Sequence, residues 1–197
     1  MNIQWNFWPT ATLFFVVLYW CVYLAVFLFR KRPPAQSAKS KPLSMLGIIL
    51  QGAAYILIWA AWRTPFTPLV PMPAAVEILL SLATMILCVA SLWIIIAAVH
   101  VLGKQWSYQA RLVEGHKLVV SGPYRFVRHP IYAGMLGQVL TNGLAMSHWS
   151  AIIAALLVFA AGTAIRIHSE EKLLREAFGD DFAAYTRYVP AVFPRLL

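Results

Sequence analysis

Two clusters of polar residues in this apolar sequence have the types and spacing to do chemistry. The first is Gly115-His116-Lys117-Leu118-Val119, then Gly122-Pro123-Tyr124, then Arg128-His129-Pro130-Ile131-Tyr132-Ala133-Gly134. Proline suits the first position of a helix, where its missing N–H would have no partner and its fixed φ is already helical. The spacing therefore predicts a helix beginning at about Pro130, with His129 at its cap. A helix start exposes backbone N–H groups and a partial positive charge, which together seat a carboxylate or similar anion. Taken singly, Arg125 and Arg128 read instead as side chains that snorkel to headgroups, and the Gly-Pro pair as a turn. The second cluster is Arg166 with Glu170 and Glu171. Residues four apart share a helix face, so Arg166 and Glu170 can bracket one polar ligand or simply close a salt bridge at a helix end.

The elements that must position these clusters are membrane helices. The chain has 197 residues, 61% hydrophobic and only 12% charged, with a mean hydropathy of +0.70. That composition excludes a soluble globular enzyme, a disulfide-stapled secreted domain and a disordered tail. Roughly 20 apolar residues span the hydrocarbon of a bilayer, and the expected spans are Thr10 to Phe29, Leu43 to Trp62, Ala74 to Leu102, Ile131 to Met146 and Ser150 to Ile167. The fold class is thus an all-α integral membrane protein of about five transmembrane helices; the last two, separated only by Ser147, His148 and Trp149, either cross fully or form a tight hairpin that tilts or dips. Residues 1–102 carry the first three helices, and 103–197 carry both polar clusters. The first span lacks a basic n-region and a small-residue cleavage site, so it is expected to stay in the membrane.

Fifteen of the sixteen Lys and Arg residues fall in segments that this topology places on one side, leaving Arg63 alone on the other. The positive-inside rule makes the rich side cytoplasmic and puts the N-terminus outside. The net charge of +9 is then a product of topology, and no nucleic-acid partner is expected. Glu114, Glu170, Glu171, Glu176, Asp180 and Asp181 share the basic side, with Glu77 at the far end of the third span. The alternative of another class is a non-enzymatic membrane scaffold or channel; a transporter or channel would carry its ionisable residues near mid-span, whereas these gather at the ends.

Several residues read as structural. Cys21 and Cys88 lie in apolar runs as packing groups. His100, His116 and His129 lack metal-ligand spacing, so no metal is expected. Gln138, Thr141 and Asn142 form a polar stripe that serves either interhelical hydrogen bonds or ligand binding, and Ala133 with Gly137 forms a small-xxx-small contact. From Glu170 to Tyr188 the residues Leu173, Leu174, Phe178, Phe182 and Tyr185 give an apolar edge, expected to form a helix and tail over the site.

The ordered blocks His116 to Val119, Gly122-Pro123-Tyr124, Arg128 to Tyr132, Arg166, Glu170-Glu171, Phe178-Gly179, Tyr185 and Pro190 resemble the isoprenylcysteine carboxyl methyltransferase family and the related phospholipid methyltransferases. The resemblance covers about Leu102 to Pro194. It implies a membrane enzyme that takes S-adenosylmethionine from the cytosol and a lipid-like or prenylated acceptor from the surrounding lipids. It further implies that Gln109, His116, Lys117, Leu118, Val119, Tyr124, His129, Pro130, Ile131, Tyr132 and Glu170 line the cofactor pocket, that Arg166 faces the acceptor, and that Arg166 and Glu170 act at the reacting centre. An amine acceptor, as in phospholipid or small-molecule N-methylation, must lose a proton before attack, whereas a carboxylate is ionised already. No lone tuned base is evident, which favours a carboxyl or thiol acceptor.

Overall fold

The computed structural model describes residues 6–28, 37–40, 43–64, 67–107, 111–113 and 115–194. Five helices make the body: α1 (Phe7–Leu28), α2 (Leu43–Ala60), α3 (Ala74–Leu102), α4 (Pro130–Met146) and α5 (Trp149–Tyr188). Four of them, all but α4, are long and apolar enough to cross a membrane among the described residues. The chain is therefore an all-helical, multi-pass membrane protein. At 17 residues, α4 reaches only about 25 Å at 1.5 Å per residue. It is the shortest of the five helices, and it runs back along α3, from beside the end of α3 to Ser147, which pairs with Trp62 just past the end of α2.

The bundle is inside-out relative to a soluble protein. Phe7, Ile56, Leu79, Ile86 and Trp93 are each more than two-thirds exposed, as lipid-facing side chains should be. The inner seam of Val16, Ala54, Ile58, Val139, Ala145, Ile152, Ala155 and Phe159 draws on α1, α2, α4 and α5. Helix α3 meets α4 across glycines: a Cβ at Gly134 would lie 2.5 Å from Ile95 Cγ1, and one at Gly137 would lie 2.1 Å from Ser91 Oγ. The close approach thus falls on Gly134 and Gly137, one position along from the expected Ala133 register. The polar stripe of α4 holds helices together. Asn142 Oδ1 accepts from Trp20 Nε1 at 2.9 Å, and Gln138 Oε1 accepts from Tyr55 Oη at 3.0 Å.

The lone outer arginine is structural. Arg63 is 8% exposed, and its guanidinium donates to the carbonyls of Leu144, Ala145 and Ser147 at 2.8–2.9 Å. It caps the C-terminal end of α4, where carbonyls lack intrahelical donors and the helix dipole favours a cation. Burial lowers its pKa to about 10.

Helix α5 runs through 40 residues, about 60 Å, twice the hydrocarbon thickness. Its apolar half crosses, and its charged half from His168 onward emerges at the end where α2 begins and α3 finishes. Gly179, with φ 48° and ψ −117°, breaks the helix in a backbone conformation that only glycine adopts without strain. A short antiparallel ribbon, β1 (Ser37–Ser40) with β2 (Arg111–Val113), links the α1–α2 connection to the segment after α3. Polar residues near 40 and 111 gave no strand signal.

Candidate functional site

The site lies where α4 begins and the emerging half of α5 passes it. Pro130 is the first residue of α4 and His129 its cap, as expected. The cap residue's side chain makes no bond to its own helix; it turns to α5. His129 Nε2 lies 3.1 Å from Glu171 Oε1, and Nδ1 lies 3.5 Å from Glu170 Oε2. The carboxylates at this helix start thus meet the imidazole of the cap residue. Arg128 does not snorkel to headgroups. Its Nη2 and Nε reach Glu171 Oε1 at 2.7 and 2.9 Å, and its Nη1 donates to the Val189 carbonyl at the end of α5. The backbone N–H groups of Arg128 and His129 donate to the carbonyls of Pro190 and Ala191, both at 2.8 Å. The tail is thereby strapped over the start of α4.

A second chain of contacts runs from Glu170. Tyr132 Oη donates to its Oε1, Arg166 Nη2 sits 3.3 Å from the same oxygen, and Arg166 Nε donates to Tyr132 Oη at 2.7 Å. Tyr132 stacks on His129, with ring centroids 5.6 Å apart and planes at 17°. Arg166, Tyr132, Glu170, His129, Glu171 and Arg128 thus form one continuous network. Burial pulls the His129 imidazolium towards its neutral form, but the facing carboxylates of Glu170 and Glu171 outweigh that and hold its pKa above the ordinary 6.5.

This network forms one wall of a cavity of about 370 Å³, within the range of small-molecule sites. Of the residues expected at the site, His116, Tyr124, His129, Ile131, Tyr132, Arg166 and Glu170 line it. Lys117, Leu118, Val119 and Pro130 do not. The backbone N–H of Lys117 instead donates to Gln105 Oε1, and Pro130 is buried beneath the wall as the first residue of α4. Gln109 lies outside the described residues. His116, half-buried against Phe178 at 6.1 Å between ring centroids, has its Nδ1 buried without a hydrogen-bond partner among the described residues. Burial lowers its pKa, so it is a neutral imidazole with an atom to offer a ligand.

Sequence reasoning missed a second set of lining residues. Gln105, Trp106 and Ser107 follow α3, and Ile48, Gln51, Gly52 and Tyr55 come from α2. A glutamine in the middle of an apolar span was the available signal for Gln51, since polar side chains in spans face protein or a cavity. The cavity has a lining that mixes polar groups, among them His116, Gln105 and Tyr124, with apolar ones, among them Ile48 and Met135. Leu173 and Leu174 close it from α5, as the apolar edge predicted.

Comparison with known proteins follows the same geography. Residues 78–176 match the sequence profile of the Isoprenylcysteine carboxyl methyltransferase (ICMT) family. Among curated proteins, the chain is 42% identical over 98 residues to the Cobalt-zinc-cadmium resistance protein CzcN of Cupriavidus metallidurans, covering 48% of this chain and 44% of that one. It is 39% identical over 85 residues to Protein-S-isoprenylcysteine O-methyltransferase B of Arabidopsis thaliana, covering 43% of each. The matches thus span a little under half the length of these relatives. A solved structure of the eukaryotic intramembrane Ras methyltransferase ICMT superposes with a TM-score of 0.59 at 19% identity, covering 91% of this chain and 63% of that one. That likeness shows a shared membrane fold.

Proposed function

This chain belongs to the isoprenylcysteine carboxyl methyltransferase family, and from that premise we propose that it is a membrane methyltransferase joining a water-borne donor, S-adenosylmethionine, to a carboxylate-headed lipid-like acceptor. The observation that carries this reading is a cavity of about 370 Å³ lined both by polar groups, among them His116, Gln105, Arg166 and Glu170, and by apolar ones, among them Ile48, Met135 and Leu174, at the end of the bundle where the charged half of α5 emerges. The distribution of basic residues assigns that end to the cytoplasm and the N-terminus to the other side.

The residues fit the donor. His116 Nδ1 is a buried atom on the cavity wall without a partner among the described residues, and Gln105, Ser107 and Tyr124 add polar groups around it. These residues, with Glu170, would hold the donor. When bound, S-adenosylmethionine would supply an electrophilic methyl on a positively charged sulfur: its carbon–sulfur bond would break as a carboxylate oxygen bonds the methyl, giving a methyl ester and S-adenosylhomocysteine.

The chain's own part is positioning. Arg166 is fixed by Tyr132 and Glu170, so its guanidinium can meet an anion without first being ordered, which is how a preset geometry lowers a barrier. Trp106, Leu173 and Leu174 exclude water. A carboxylate with a pKa of about 3.3 to 3.7 is ionised at neutral pH and needs no base. Glu170, Glu171 and His129 are engaged with one another, which suits an acceptor with no proton to surrender and argues against an amine.

The test is transfer of labelled methyl from S-adenosylmethionine into membrane lipid extracts by purified protein. The proposal expects label released as methanol by mild alkali, the mark of a methyl ester, and loss of transfer in Arg166→Ala. Alkali-stable label would point to an N- or S-methyl product and overturn the carboxylate reading.

A further inference from the structure

Helix α5 goes out from the membrane and comes back. Arg128 marks both ends of the excursion: its guanidinium reaches Glu171 through Nη2 and Nε, and the Val189 carbonyl through Nη1. Between those two points the chain runs outward, breaks at Gly179 and returns, so about 12 Å of helix is traversed in each direction. Asp180 and Asp181 lie exposed at the turning point, and Arg187 and Tyr188 lie exposed at the returning end.

That end comes back at the depth of the lipid headgroups. Helix α4 finishes on the opposite side of the bilayer, where Ser147 pairs with Trp62 and α5 starts. Its 17 residues cover about 25 of the roughly 30 Å of hydrocarbon. Pro130 therefore lies close to the hydrocarbon edge, and the segment before it lies in the headgroup layer. The returning chain is bound to that segment: Tyr185 Oη donates to the Tyr124 carbonyl, and the N–H groups of Arg128 and His129 donate to the carbonyls of Pro190 and Ala191. On these two adjoining segments Phe126, Tyr188 and Phe193 are each more than half exposed. With them go Arg125, whose guanidinium carbon lies 4.4 Å from the Phe126 ring centroid, and Arg187, both exposed. Among the described residues neither arginine forms an ion pair with a carboxylate, whereas Arg128 and Arg166 do. Aromatic rings with unpaired arginines match the layer where rings meet headgroups and guanidinium groups meet lipid phosphates. The carboxylates of Asp180 and Asp181 are carried about 12 Å further out, which spares them repulsion from an anionic surface.

We propose that Arg125, Phe126, Arg187, Tyr188 and Phe193 form a docking surface for the anionic phospholipid headgroups of the leaflet on this side, with the rings entering the interface and the arginines pairing with lipid phosphates. The count of basic residues gives this side to the cytoplasm, whose leaflet holds the anionic lipid. Docking of this kind is independent of methyl transfer. The test is amide hydrogen exchange of the whole protein, one copy per nanodisc, in phosphatidylcholine alone and with about 30% phosphatidylglycerol added. Exchange over Arg187 to Phe193 should be about tenfold slower with the anionic lipid and unchanged over Arg175 to Asp181, and about 0.5 M sodium chloride should remove most of the difference. Arg125→Gln combined with Arg187→Gln should bring the two lipids within about twofold of each other. Phe126→Ser, Tyr188→Ser and Phe193→Ser together should speed exchange there in both lipids. Equal exchange of the wild-type protein in the two lipids overturns the proposal. So does protection that persists in detergent and grows with protein concentration, which would mark a second copy of the chain on this surface.

Discussion

Glu171→Gln should destabilise the protein and flatten its pH dependence near neutrality. Glu171 takes two guanidinium contacts from Arg128, at 2.7 and 2.9 Å, and one contact from His129 at 3.1 Å. The side chains of Arg128, Glu171 and His129 are 13%, 16% and 5% exposed. Breaking a fully buried pair by removing one partner costs about 3–5 kcal/mol. Partial exposure and the retained amide reduce that to about 2–3 kcal/mol, or a fall in Tm of roughly 4–12 °C for a chain of this size. His129 has a folded pKa raised above its ordinary value by Glu170 and Glu171. Its ionic contribution is therefore complete below about pH 6.5 and is lost as pH rises through the folded value. In Glu171→Gln one of the two supporting carboxylates is gone, so the loss should still begin near pH 6.5 but end at a lower pH and be smaller. Thermal melts in detergent from pH 5.5 to 9 measure both effects. A variant that melts with wild type at every pH would refute the claim that this network holds α5 to the start of α4.

Three further outcomes follow from the packing. Arg63→Ala should lower stability by about 2–4 kcal/mol, because the carbonyls of Leu144, Ala145 and Ser147 lose their donor in a buried setting; melts detect it, while the affinity for S-adenosylhomocysteine measured well below the melt should not move. Gly137→Val should cost about 1–3 kcal/mol through overpacking against Ser91, which already sits where a Cβ would go, and a melt beside Gly52→Val, where space is open, provides the contrast. Tyr185→Phe removes the hydroxyl that donates to the Tyr124 carbonyl at 2.5 Å. It should loosen the tail, seen as faster amide hydrogen exchange over Phe182 to Ala191 with little change in exchange for α1 to α3.

The sequence revealed more of the fold than of the cavity, for physical reasons visible at particular residues. Hydropathy marks where lipid begins, so the starts of α2 and α3 at Leu43 and Ala74 and the end of α3 at Leu102 fall where expected. It says nothing of a helix that continues into water. Ser169 to Phe178 is rich in good helix formers, so α5 runs on past Ile167 until Gly179 breaks it. The spacing of Arg166 and Glu170 and the proline after His129 were readable because helix geometry is local. The meeting of His129 with Glu171, 42 residues away, and the strap from Pro190 and Ala191 depend on tertiary packing. Arg128 taken alone looked like a headgroup contact; only its juxtaposition with Glu171 and the end of α5 shows otherwise. The stripe of Gln138 and Asn142 was equally suited to binding or to helix pairing, and Trp20 and Tyr55 decide it for pairing.

The most direct test is calorimetric titration of the purified wild-type protein with S-adenosylhomocysteine, repeated on Glu170→Ala and on His116→Ala. The account predicts saturable one-site binding to wild type, a matching rise in Tm of about 2.7 kcal/mol equivalent at a hundredfold excess over Kd, and affinity reduced at least tenfold in both variants. Wild-type protein that melts cooperatively yet takes up no S-adenosylhomocysteine would contradict it.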